Sequence, residues 1–281
     1  MIPTAHSVKQ AAAGALRAAR NGPLVTYALI GSCCLFFALG PASGLVPAHG
    51  SAGDATAAQV AHFERWGVIP SELLSGDPRA LLTPLTALFV HGNWLHLLGN
   101  MLFLFVFGGM AEERMGRAAY ALFYLTVGCL ALAGYAAVHA DSSQTLVGAS
   151  GAISGVLGAF LYLFPGARVT SLFPFLFFLP LRFPAWMVLV FWFVLQWLAA
   201  GKADSDQPGV AYLAHLIGFC LGFLYAWARY RRSRPWQEAL PAEALPAEAL
   251  STEGGTSAAE GGTPAVEGGA RAVEGSAGQE G

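Results

Sequence analysis

Six stretches of this chain are apolar and free of Asp, Glu, Lys and Arg: about Leu24 to Leu39, Trp94 to Met110, Ala118 to Val138, Leu146 to Phe164, Ala185 to Ala200 and Val210 to Ala228. A helix needs about 20 mostly apolar residues to cross a bilayer, and fewer where its ends are enclosed in protein. Backbone polar groups in hydrocarbon have to be satisfied within their own segment, so spans of this kind are helical. The six stretches predict an all-α, polytopic membrane protein. The charged fraction agrees, at 11% against about 25% in a soluble domain. A longer apolar run from Val169 to Leu198 is cut at Arg182 and Pro184. It is too short for two crossings, and Pro174 and Pro180 would disrupt a helix. Val169 to Leu181 is therefore read as an interfacial segment.

The formal net charge of −2 excludes a strongly basic nucleic-acid binder, but it hides a division. From Pro235 onward there are eight Glu and one Arg, a balance of −7, which leaves +5 for residues 1–234. With six spans, one side of the membrane holds Lys9, Arg17, Arg20, Arg114, Arg117, Arg168, Arg182, Arg229, Arg231, Arg232 and Arg234, and the other only Arg65, Arg79 and Lys202. Cytoplasmic flanks carry the excess of Lys and Arg. Both termini are thus expected in the cytoplasm, in a bacterial cell membrane, with the loop 40–93 external. Residues 1–23 read as a basic cytoplasmic flank in preference to a mitochondrial transit peptide. Residues 24–232 form the six-helix membrane domain. Residues 233–281, which repeat Glu-Ala-Leu-Pro-Ala and then turn to Gly, Ala, Ser and Glu, are too poor in large apolar groups to offset their ordering entropy and are expected to be a disordered acidic tail. Cys33, Cys34, Cys129 and Cys220 lack CxxC or metal-ligand spacing and read as small core hydrophobes.

Polar residues at membrane depth are costly, so they become the functional suspects. His96 and Asn100 lie four residues apart, on one face of the second span. They either line a cavity or bridge helices. In the fourth span, Gly151 and Gly155 have the GxxxG spacing that lets another helix backbone approach, and Gly218 and Gly222 repeat it beside His215 in the sixth. If Gly148 breaks the fourth helix, the part from Ser150 to Phe164 is about 22 Å long at 1.5 Å per residue, against a hydrocarbon core of about 30 Å. Its N-terminus then ends below the membrane surface, where free N–H groups need water or a ligand. A serine there has its own N–H available beside a dipole that favours negative charge, and these are the parts of an oxyanion hole. Serine needs a base to become a nucleophile, and His215 is the candidate. No carboxylate lies in either helix, and Asp141, Asp204 and Asp206 are in external loops, so the expectation is a Ser150–His215 dyad.

These residues resemble the rhomboid family of intramembrane serine proteases. The resemblance runs from Leu81 to Tyr230 and rests on four motifs in order: His91, His96 and Asn100 as His-x4-His-x3-Asn; Gly108, Gly109, Glu112 and Gly116; Gly148, Ser150 and Gly151 as Gly-x-Ser-Gly; and Ala214, His215, Gly218 and Gly222. It implies a six-helix core with Ser150 as nucleophile and His215 as general base and acid. His96, Asn100 and the Ser150 N–H would be the oxyanion donors, His91 a support of the site, and Glu112 with Arg114 structural. Substrates would be membrane-anchored proteins cut in or near a transmembrane segment, with no cofactor or metal. Two departures stand out. Leu81, Leu82 and Thr83 occupy the neighbourhood of a Trp-Arg pair frequent in the family, and Ser154 replaces an aromatic ring that stacks on the catalytic histidine, leaving a hydrogen bond from Ser154 as its substitute. A catalytically silent protein that binds client membrane helices in the same cavity is the alternative. A metal site built from His91, His96 and His215 is disfavoured, because no acidic or thiolate ligand accompanies them in the spans.

Overall fold

The computed structural model describes residues 22–45, 52–173, 179–201 and 211–232. The basic flank up to residue 21, the acidic tail from residue 233, His49, Lys202, Asp204 and Asp206 lie outside the described residues.

Helix α1 (Leu24–Leu39) starts after Pro23 without a capping side chain of its own. A carboxylate from another helix takes that place. Glu112 accepts from the Val25 N–H at 2.9 Å, the Thr26 N–H at 2.7 Å and the Thr26 hydroxyl at 2.8 Å. The first N–H groups of a helix have no intrahelical acceptor, and negative charge is favourable beside them. Glu112 is buried, and Arg117 Nε lies 3.9 Å from its Oε1. Arg114 reaches a different helix, with its guanidinium 5.6 Å from the centre of the Tyr230 ring.

The stretch that follows α1 carries α2 (Ala52–Trp66) and two short helices, α3 (Pro70–Leu73) and α4 (Thr83–Ala87). Leu81 and Leu82, where the family's Trp-Arg pair often stands, are exposed, and the Thr83 hydroxyl donates to the Ala80 carbonyl. Helix α5 (Trp94–Phe103) begins at Asn93, whose side chain accepts from the His96 N–H at 2.8 Å. It runs through a π-helical turn, Leu104–Gly108, into α6 (Gly109–Met115), so the second predicted span extends one turn past Met110. At Gly116, φ +82 ends α6, and α7 (Arg117–Val138) follows.

Helix α8 (Ser150–Leu163) is buried on nearly every side, from Gly151 to Phe160 without a break. It packs between α7 and α10 (Tyr212–Tyr230). A Cβ added at Gly218 would run into the Gly151 carbonyl, and one at Gly222 into the Gly155 carbonyl. The two glycine pairs singled out in the sequence therefore face each other, with backbone against backbone. On its other side Gly155 receives Val127 of α7. Leu146 to Ala149, expected inside the fourth span, form instead the non-helical approach to α8.

The all-α expectation needs one correction. Arg168–Phe173 (β1) and Leu179–Pro184 (β2) form an antiparallel pair, with Val169 opposite Phe183 and Leu172 opposite Pro180. Proline removes a helical N–H but is tolerated in a two-stranded ribbon, where each strand is an edge. Helix α9 (Ala185–Ala200) follows directly. The cysteines also differ from expectation: Cys33 is buried, whereas Cys34 and Cys220 are exposed.

Polarity is distributed inside out. Thr26, His91, Asn100, Glu112, Ser154 and His215 are buried, while Leu95, Leu102, Phe105, Phe191 and Trp197 are exposed on the helices. Contiguous apolar exteriors of this kind suit lipid, not water. Trp94–Met115 and Arg117–Val138 are long and apolar enough to cross a membrane, and Leu24–Leu39, Ser150–Leu163 and Ala185–Ala200 are shorter apolar helices.

Candidate active site

Four separate stretches converge at the start of α8. The approach to Ser150 is sewn to the stretch between α2 and α5 by paired backbone bonds between Val68 and Leu146 and by the Gly148 N–H donating to the Ala87 carbonyl at 2.9 Å. At Gly148 the chain adopts φ +124, a region that side chains rarely enter, and a Cβ there would stand 2.8 Å from both Cε1 and Nε2 of His96. Glycine thus serves two purposes: it makes the turn into α8, and it lets the His96 ring lie against the backbone just before Ser150.

Ser150 Oγ is 2.8 Å from His215 Nε2, although the two residues are 65 apart in sequence. The close glycine seam between α8 and α10 brings them together. The Nδ1 atom of the same ring is 2.7 Å from Gln196 Oε1, on α9. Trp192, one turn before Gln196, lies with its ring 6.1 Å from His215 at an interplanar angle of 31°, and Tyr212 meets the ring edge-on at 6.3 Å.

On the facing side, the Gly92 N–H donates to His96 Nδ1 at 3.3 Å. In a neutral imidazole one nitrogen accepts and the other carries the proton, so His96 presents an Nε2–H donor on the Gly148 side. Asn100 Nδ2 donates one hydrogen to the His96 carbonyl at 3.0 Å, which leaves its second hydrogen for the cavity. His91 packs edge-to-face on His96 with ring centres 5.2 Å apart, and its Nδ1 is 3.3 Å from the Phe89 carbonyl. Burial, reinforced by His96, pushes the His91 imidazole down to about 4. His96, Asn100, Ser150, Trp192, Gln196 and His215 all line one cavity of about 620 Å³.

Ser154 departs from its expected place. Its hydroxyl donates to the Ser150 carbonyl at 2.6 Å within α8, so it is not the hydrogen-bonding substitute beside His215. The α9 face bearing Trp192 and Gln196 covers that ring instead. The sequence held a signal for this: Gln196 is the sole Asn, Gln, Ser, Thr, His or charged residue between Ala185 and Ala200. The same test of polarity at membrane depth would have marked Thr26, the partner of Glu112.

A family model described as Rhomboid domain matches residues 78–232. Among curated proteins, the chain is 34% identical over 146 residues to Rhomboid protein 1, mitochondrial, of Saccharomyces cerevisiae, a match covering 50% of this chain and 39% of that protein. It is 40% identical over 72 residues to Rhomboid-like protein 11, chloroplastic, of Arabidopsis thaliana, covering 25% of each. A third relative, Putative rhomboid protease YdcA of Bacillus subtilis, is 33% identical over 89 residues, covering 32% of this chain and 43% of that protein. The chain matches less than half the length of each of these relatives. The family match takes in more than half of the 281 residues and includes every residue that meets at the site, and this integral membrane protein belongs to the rhomboid family.

Proposed function

We propose that this chain is an intramembrane serine endopeptidase that cleaves transmembrane segments of membrane-anchored proteins. The observation that carries the reading is the 2.8 Å contact between Ser150 Oγ and His215 Nε2, at a helix start facing a cavity. In the forward step His215 Nε2 takes the Ser150 proton while Oγ bonds to the scissile carbonyl carbon. The carbonyl electron pair moves onto oxygen. His96 Nε2–H, the free Asn100 hydrogen and the Ser150 N–H receive that oxyanion. As the C–N bond breaks, His215 returns the proton to the leaving amine; water then repeats the sequence on the acyl-enzyme. A helical peptide bond is shielded by its own hydrogen bonds, so the substrate segment has to unwind into the cavity first.

The same reading has six spans in a bacterial cell membrane, with both termini cytoplasmic, the loop 40–93 external and the cavity open to that side. The eleven-to-three division of Lys and Arg supports this orientation.

The test is cleavage of a single-span substrate reconstituted with the full chain. Ser150→Ala and His215→Ala are each expected to abolish cleavage with folded protein retained, and a fluorophosphonate probe to label Ser150. Labelling of Ser154 would refute the nucleophile assignment. Undiminished cleavage by Ser150→Ala would sink the mechanism, and an inert wild type that still retains client helices would establish the silent binding protein.

A further inference from the structure

The proposed chemistry needs His215 in one of its two neutral forms, with the proton on Nδ1 and a lone pair on Nε2 facing Ser150. We propose that Gln196 is the positioning residue that selects this form, an inference that rests on the protease reading above. Its carbonyl oxygen, 2.7 Å from Nδ1, only accepts, so Nδ1 has to donate. A neutral imidazole has one N–H, and Nε2 is left to accept from Ser150 Oγ at 2.8 Å. Turning the amide over would present its NH2 to Nδ1 and move the ring proton to Nε2. Ser150 would then face a donor and have no base. The orientation of one side-chain amide thus decides whether the pair is competent.

The position on α9 is as telling as the distance. Gln196 and Trp192 are one turn apart on the same face, and both meet His215, one through Nδ1 and the other through the ring plane. Ser154, by contrast, spends its hydroxyl inside α8. Support for the base has therefore moved from the nucleophile's own helix to α9. A neutral amide suits this depth, because an ionised carboxylate inside an apolar span is costly. The corresponding cost is weaker stabilisation of the imidazolium formed during the reaction.

The experiment compares wild type, Gln196→Leu and Gln196→Glu, using the full chain in liposomes. Gln196→Leu, which removes the acceptor, is expected to lower kcat about 10- to 100-fold with KM little changed. It should slow fluorophosphonate labelling of Ser150 by a similar factor and leave the thermal midpoint near wild type. Gln196→Glu keeps an acceptor that cannot turn over, and should recover most of the lost kcat. It should also move the acid limb of the kcat/KM profile to higher pH, because a carboxylate favours the imidazolium. A purely structural role would not produce that displacement. If Gln196→Leu does not fold, Gln196→Met keeps the volume and removes the acceptor. Wild-type kcat and labelling in either apolar variant would overturn the proposal, as would a Gln196→Glu enzyme as slow as Gln196→Leu with an unshifted profile. An active wild type whose Gln196 variants all cleave and label as it does overturns this inference alone. A wild type that neither cleaves nor labels at Ser150 overturns the protease reading with it.

Discussion

Gly148→Ala should disable the site while keeping both Ser150 and His215 in the chain. At φ +124 an alanine is strained, by about 1–3 kcal/mol for a non-glycine residue held in such a region. Its Cβ would stand 2.8 Å from His96 Cε1 and Nε2, against an ordinary carbon contact of about 3.5–4.0 Å, so the ring has to withdraw by roughly 1 Å. His91 behind it and the Gly92 N–H at Nδ1 oppose a simple slide. Misplacing a catalytic group by about 1 Å costs about 10²-fold in rate, or about 2.7 kcal/mol of transition-state stabilisation. Because the oxyanion exists only in the transition state and intermediates, the loss should fall on kcat and leave KM nearly unchanged. Steady-state cleavage of a reconstituted single-span substrate measures this, with a thermal melt alongside to account for the backbone strain. Gly166→Ala is the control, since a Cβ there meets nothing within 4 Å. A Gly148→Ala enzyme with kcat within a few-fold of wild type would refute the placement of His96 as an oxyanion donor pressed against this backbone.

Two further predictions concern stability. Glu112→Ala leaves the Val25 and Thr26 N–H groups and the Thr26 hydroxyl without their acceptor; charge-assisted bonds of this kind contribute about 1.5–3 kcal/mol each and are not additive, so a loss of about 3–5 kcal/mol is expected. Denaturation in detergent micelles reads it, with Glu112→Gln intermediate because it keeps one oxygen; an alanine variant that melts with wild type would show that Glu112 does not hold α1. For His91, the unfolded imidazole takes up its proton near the ordinary value of 6.5 and the buried one only near 4. Its contribution is therefore complete above pH 6.5 and is lost as pH falls toward 4, by at most about 3 kcal/mol at 1.36 kcal/mol per pH unit. His62 is lowered in the same direction by burial, so the assignment rests on His91→Gln, whose thermal midpoint should fall less than wild type's between pH 7 and 4.

Much of the site was legible because the membrane makes polarity conspicuous. His96, Asn100, Ser150 and His215 stood out in spans without formal charge, and all four line one cavity. Gly218 and Gly222 likewise had one plausible use, and each meets a carbonyl of α8. The bond from Ser154 to the Ser150 carbonyl depends on a rotamer that spacing does not specify, and Gln196, an amide and not an acid, carries no charge to mark it as the partner of His215. Pro174 and Pro180 make the segment after Arg168 unfit for a helix, yet its strand pairing requires two stretches to find each other.

What the sequence by itself determined is what the solvent dictates. Apolar runs too long and too free of charge for water have to be helices in lipid, and glycines at four-residue spacing permit close backbone contact. What only the tertiary structure decided is which atoms those contacts bring together. Ser150 meets His215 across 65 residues, Gln196 reaches that ring from α9, and Glu112 caps a helix that begins 88 residues before it. Periodicity records which face of a helix is buried. The partner on that face is set by packing among several helices, and a hydrogen bond of 2.7–2.8 Å exists only once that packing is complete.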